Sequence, residues 1–126
     1  VEYAVRVLKI SNMIVLGHSN CGGVKGCIDM CKGHAPELEA KDSFVGRWMD
    51  ILRPGYDLVS DLQDPEEQMR ALEKQSVITS LENLMTFPWI VTQVDEGKLT
   101  LHGLWTDIGE GGLEHYNPDT EKFHPV

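Results

Sequence analysis

Apolar and polar positions follow two rhythms along this chain of 126 residues. In "VEYAVRVLKI" the apolar residues Val1, Ala4, Val5 and Leu8 recur at helical spacing, which predicts the last turns of an amphipathic helix broken by Ser11 and Asn12. Met13 to Gly17 is a short unbroken apolar run, the pattern of a strand buried on both faces of a parallel sheet. A helix running at once into such a strand is half of an α/β unit. After Gly22 and Gly23 a second helix is predicted from about Val24 towards Cys31, ended by "KGHAP".

Further on, Phe44, Val45, Trp48, Met49 and Leu52 share one helical face within residues 42–52, and Pro54 and Gly55 are expected to stop that helix. Asp64 is placed to cap a longer helix with Pro65 in its first turn, and the helix is expected to continue towards Phe87, where Pro88 breaks the ladder. A shorter helix over "WIVTQVDEG" closes at Gly97. "KLTLHGLWTDI" then alternates as a strand does, "GEGG" is a turn, and "LEHYN" pairs back as a terminal hairpin. The fold class expected is α/β, a mainly parallel sheet flanked by helices on both faces, with a C-terminal β-hairpin. Without a repeat, linker or low-complexity tract, residues 1–126 are expected to form a single domain.

Charge narrows the range of partners. Twenty acidic against 11 basic residues give a net charge of −9, the wrong sign for nucleic acid or an anionic membrane surface. No stretch approaches the ~20 apolar residues of a bilayer span, and Val1 to Ile10 has no signal-peptide pattern. The three cysteines, Cys21, Cys27 and Cys31, are too few and too clustered for a secreted disulfide framework; a reducing compartment or a metal site suits them better.

One stretch carries chemistry. "IVLGHSNCGG" runs a strand into a turn bearing His18 and Cys21, the place where open α/β sheets put their sites. An imidazole and a thiol three residues apart can converge on one zinc ion; equally, His18 can bond a nearby carbonyl while Cys21 packs as a small hydrophobe. Spacing alone leaves both open. The glycines match neither a dinucleotide fingerprint nor a phosphate-binding loop.

The wider pattern resembles a known family. "GHSNCGGVKG" is similar to the second zinc-ligand motif of the β-class carbonic anhydrases, and "VEYAVRVLKISNMIVLGHSNCGG" resembles that family's helix, strand and ligand turn. "SVITSLENLMTFPW" and "GKLTLHGLWTDIGEGGLEHYNPDTEKF" resemble its C-terminal helices, strand and closing hairpin, most closely in the plant-like branch. The resemblance implies that His18 and Cys21 are two of three protein ligands to one catalytic zinc per subunit, with water in the fourth position. It implies that the Gly22 N–H holds bicarbonate, that Tyr3 lines the apolar CO₂ pocket of a neighbouring subunit, and that Gly23 allows close helix approach. It further implies reversible hydration of carbon dioxide, a homodimer or higher homo-oligomer, and a cytoplasmic location or an organelle stroma.

The family's first zinc ligand lies in a Cys-x-Asp-Ser-Arg segment that these residues do not contain. The chain is therefore expected to be the C-terminal part of a longer protein, with the active site completed elsewhere and the strand beside Met13 to Gly17 missing. A naturally short relative is the other explanation. In that case "HSNCGGVKGCIDMCKGH" could offer Cys27, Cys31 and His34 to a closed structural zinc site, or Cys27 and Cys31 could simply pack. The rival function is a non-catalytic zinc-binding or association domain of the same fold. Ser19 has no base and no nucleophile elbow and is set aside as a nucleophile. His102, His115 and His124 are expected to be surface or packing residues and not ligands, and Trp48, Trp89 and Trp105 to lie in a core or interface.

Overall fold

A computed structural model describes all residues, Val1–Val126. The elements in chain order are α1 (Glu2–Arg6), β1 (Asn12–His18), α2 (Gly22–Cys31), α3 (Phe44–Met49), α4 (Arg53–Val59), α5 (Pro65–Leu84), α6 (Pro88–Asp95), β2 (Thr100–Thr106), β3 (Leu113–Asn117) and β4 (Lys122–Pro125). The sheet order is β1-β2-β3-β4, with β1 and β2 parallel and both later pairs antiparallel. The α/β class and the antiparallel C-terminal extension are those expected, and "EKFHP" adds a strand to the hairpin by pairing His124 with His115 and Phe123 with Tyr116.

Local chemistry sets most boundaries. Asp64 accepts the Glu67 N–H at 2.8 Å and Pro65 opens α5, as the sequence predicts. Ser43 caps α3 through the Gly46 N–H at 2.9 Å. Pro54 does not stop a helix here. Residues Asp50–Leu52 tighten into a 3₁₀ turn, and Pro54 then sits in the first turn of α4, where its missing N–H costs nothing.

The main core joins α2, α4 and α5 through Val24, Cys27, Ile28, Val59 and Leu72. A second cluster of Val5, Ile90 and Leu99 ties α1 and α6 to the start of β2. Helix α5 lies across the sheet: a Cβ on Gly17 would meet Val77, and one on Gly103 would meet Val77 and Leu81. That face carries Met13, Val15 and Gly17 of β1, while Ile14 and Leu16 on the other face are 59% and 58% exposed. The strand is thus half-buried on one face and exposed on the other, because the helices of this chain cover only the α5 side. Its outer edge is unpaired as well, since β1 has only β2 beside it. The predicted apolar face of α3 is also only partly used: Met49 packs on the core, but Phe44 and Trp48 stay exposed.

Candidate metal centre at the end of β1

Strand β1 ends on His18, and α2 begins three residues later with Cys21 as its N-cap. Between them Ser19 is fully buried and Asn20 takes the left-handed conformation (φ 57°) that turns the chain back. The loop is held at several points. The Ser19 N–H donates to the Thr106 carbonyl at 2.9 Å, continuing the β1–β2 ladder. The Ser19 Oγ accepts the Ile108 N–H at 2.9 Å and donates to Asp107 Oδ1 at 3.3 Å. On the other side, the Cys21 N–H donates to Oε1 of Glu73 at 3.2 Å, and Glu73 is in turn bonded by Arg70 at 3.1 Å.

His18 Nδ1 lies 2.9 Å from the Ser19 carbonyl, so it carries the proton and donates, leaving Nε2 free with its lone pair. Cys21 makes no side-chain cap, so its thiol does not occupy the first-turn amides of α2. The Cys21 Sγ lies 3.8 Å from where a Cβ on Gly23 would stand, beside the Trp48 ring. Nothing would lie within 4 Å of a Cβ on Gly22, the first residue of the helix. Next to Cys21 lies a mainly apolar cavity of about 590 Å³ whose lining includes Val15, Trp48, Ile51 and Phe87.

Three of the four residues named from the sequence therefore meet within one turn: His18, Cys21 and Gly22. Tyr3 stands apart on α1, 65% exposed, with only Val5 of that helix buried. The donors present suit zinc: an imidazole fixed by a backbone carbonyl through its other nitrogen, and a thiol at the positive end of a helix. They are two donors, and no group of three or more His, Cys, Asp and Glu side chains comes together anywhere in the chain. Cys27 is wholly buried, and its thiol is pushed up to about 12 by burial and by Cys31 beside it. It packs as a hydrophobe, and the closed Cys/His cluster is not formed.

Sequence reasoning missed Glu73 and the Ser19–Asp107 pair. Glu73 reads as one more solvated charge on a long helix; its only signal is Gly17 opposite, which lets α5 come close to the end of β1. Asp107 accepts the N–H groups of Gly109 and Glu110 as well as the Ser19 hydroxyl, and these bonds hold its carboxyl below the usual carboxylate range.

A parallel strand that hands an imidazole and a thiol to the start of a helix, with an antiparallel extension behind it, defines an α/β domain with its candidate site at the end of the strand. The carbonic anhydrase family model matches residues 1–113. The chain belongs to the β-carbonic anhydrase family. It is 32% identical over 124 residues to Beta carbonic anhydrase 6, mitochondrial, of Arabidopsis thaliana, covering 96% of this chain and 41% of that protein. It is 34% identical over 131 residues to Carbonic anhydrase 1 of Escherichia coli O157:H7, covering 100% of this chain and 56% of that one. Among solved structures, the β-carbonic anhydrase CcaA superposes with a TM-score of 0.86 at 31% identity, covering 99% of this chain and 55% of that one. Two tetrameric β-carbonic anhydrases from Sordaria macrospora match with a TM-score of 0.71 at 25% identity, over 90% of this chain and 56% of theirs. The chain thus spans about half the length of the relatives it matches.

Proposed function

We propose that this chain supplies two zinc ligands and the anion-binding helix terminus of an enzyme that interconverts carbon dioxide and bicarbonate, CO₂ + H₂O ⇌ HCO₃⁻ + H⁺. The observation that carries the reading is the meeting of His18, Cys21 and Gly22 in one turn of a chain matched to the family through residues 1–113. Zinc bound there would supply the Lewis acidity that lets water lose a proton near neutral pH. His18 Nε2 and the Cys21 thiolate would hold it, with the third protein donor coming from outside these residues. Gly22 is the first residue of α2, so its N–H has no acceptor within the helix and suits a bicarbonate oxygen. The apolar lining of the adjacent cavity suits an uncharged, poorly hydrated gas and keeps bulk water away from the reacting carbon. The assembly proposed is a homodimer or larger, with Tyr3 of one subunit exposed towards the next.

The test is zinc content and CO₂ hydration measured side by side on the purified protein, on His18→Ala and on Cys21→Ala. Loss of both zinc and activity in each variant is the expected result. Zinc held at full stoichiometry by both variants overturns the assignment, and tight zinc without hydration by the parent protein favours a non-catalytic zinc-binding domain instead.

A further inference from the structure

We infer that Ser19 is a positioning residue for His18, setting which ring nitrogen carries the proton; the inference rests on His18 being a ligand, as proposed above. Ser19 has no exposed surface, yet each of its polar groups is engaged. Its N–H bonds Thr106 of β2 at 2.9 Å, and its hydroxyl accepts from Ile108 at 2.9 Å while donating to Asp107 at 3.3 Å. Its carbonyl accepts from His18 Nδ1 at 2.9 Å. The first three bonds tether the residue to the end of β2 and the turn after it, far away in sequence, and the fourth uses that tether.

Asp107 Oδ1 is itself fixed by the N–H groups of Gly109 at 2.9 Å and Glu110 at 3.2 Å, so the hydroxyl bonds to a carboxylate that has no freedom to follow it. A backbone carbonyl one residue away would otherwise be free to rotate with its peptide plane. Here Ser19 itself is pinned on both sides of that plane's pivot, at its N–H by β2 and through its side chain by Asp107 and Ile108, which leaves the carbonyl it carries little freedom to turn. The carbonyl therefore stays aimed at Nδ1, the proton stays on Nδ1, and Nε2 keeps the lone pair that a metal needs. An untethered imidazole in water favours the opposite tautomer, with Nε2 protonated and unable to bind. The residue between the two ligands thus sets the chemistry of the first without touching the ion.

Three variants and one spectrum test this. Histidine ¹⁵N shifts at mildly alkaline pH report the His18 tautomer of the zinc-free protein, and titration with zinc alone gives the affinity; circular dichroism checks the fold of each variant. The unaltered protein is expected to carry the proton on Nδ1. Ser19→Ala is expected to shift His18 to a mixture of tautomers and to weaken zinc about tenfold, the lower end of what losing an outer partner of a ligand costs. Asp107→Ala is expected to do the same, and it decides the matter if Ser19→Ala does not fold. Asp107→Asn keeps an acceptor oxygen and is expected to stay near the parent. An unchanged tautomer and unchanged zinc affinity in the folded Ser19→Ala or Asp107→Ala variant overturns the inference. If His18→Ala leaves zinc affinity untouched, the ligand reading fails instead, and the tautomer shift still decides what Ser19 does to the ring.

Discussion

The backbone N–H of Cys21 donates to a carboxylate oxygen of Glu73, 52 residues further along the chain and almost wholly buried. This bond joins the turn that carries the candidate ligands to the middle of α5. Arg70, one turn earlier on α5, bonds the same carboxylate and keeps its charge from being stranded in the core. Glu73→Ala removes an acceptor from a partly buried amide and a partner from a partly buried guanidinium. It is expected to destabilise the protein by ~2–4 kcal/mol, as orphaned buried partners do. Glu73→Gln keeps the acceptor and is expected to lose about half as much; urea titration of both variants measures the difference.

Gly17 is the point where β1 and α5 come closest. An added methyl would run into Val77 and stand 3.5 Å from both the Glu73 carbonyl and the Trp105 ring. Gly17→Ala is expected to cost ~1–3 kcal/mol by overpacking, with Val77→Ala recovering part of it in the double variant. Thermal unfolding of the two singles and the double checks the coupling.

Cys27 makes stability fall at high pH. Burial moves its thiol from the usual 9.0 to about 12, so the unfolded chain releases this proton before the folded one does. The contribution is complete below pH 9 and declines as pH rises towards 12, by up to about 1.4 kcal/mol per pH unit. Cys27→Ala is expected to be less stable at neutral pH, through the lost packing, and to have a flatter stability profile over the alkaline range. Denaturation at a series of pH values separates the two effects.

Ile14 and Leu16 are exposed on a strand whose outer edge has no neighbour. An apolar open edge invites pairing between chains. Leu16→Lys is expected to lower concentration-dependent association of the isolated chain without loss of helix content. Sedimentation velocity over a range of concentrations measures the first and circular dichroism the second.

The hydrophobic rhythm foretold the elements that bury a clear face, and the ligand turn was legible because His18, Cys21 and the glycines lie within six residues of one another. Three things were not. The apolar run of β1 reads the same whether one face is covered or two, since Ile14 and Leu16 are no less apolar for being exposed. Pro54 breaks a helix or begins one depending on the turn before it, and the 3₁₀ turn at Asp50–Leu52 chose the latter. Glu73 and Asp107 act on the site through contacts 52 and 88 residues away in sequence, and no local pattern marks a carboxylate that tertiary packing will bury or pin.

In β1, Ser11 and Ser19 both bond towards β2, and parallel pairing repeats that direction at every second residue. The amides of Met13, Val15 and Gly17 are therefore locked inside the sheet, while those of Ile14, Leu16 and His18 point outward into solvent. Deuterium should enter the strand in a comb, fast and slow teeth alternating along its length. Any segment that comes to lie alongside would slow every second tooth and leave the others as they were.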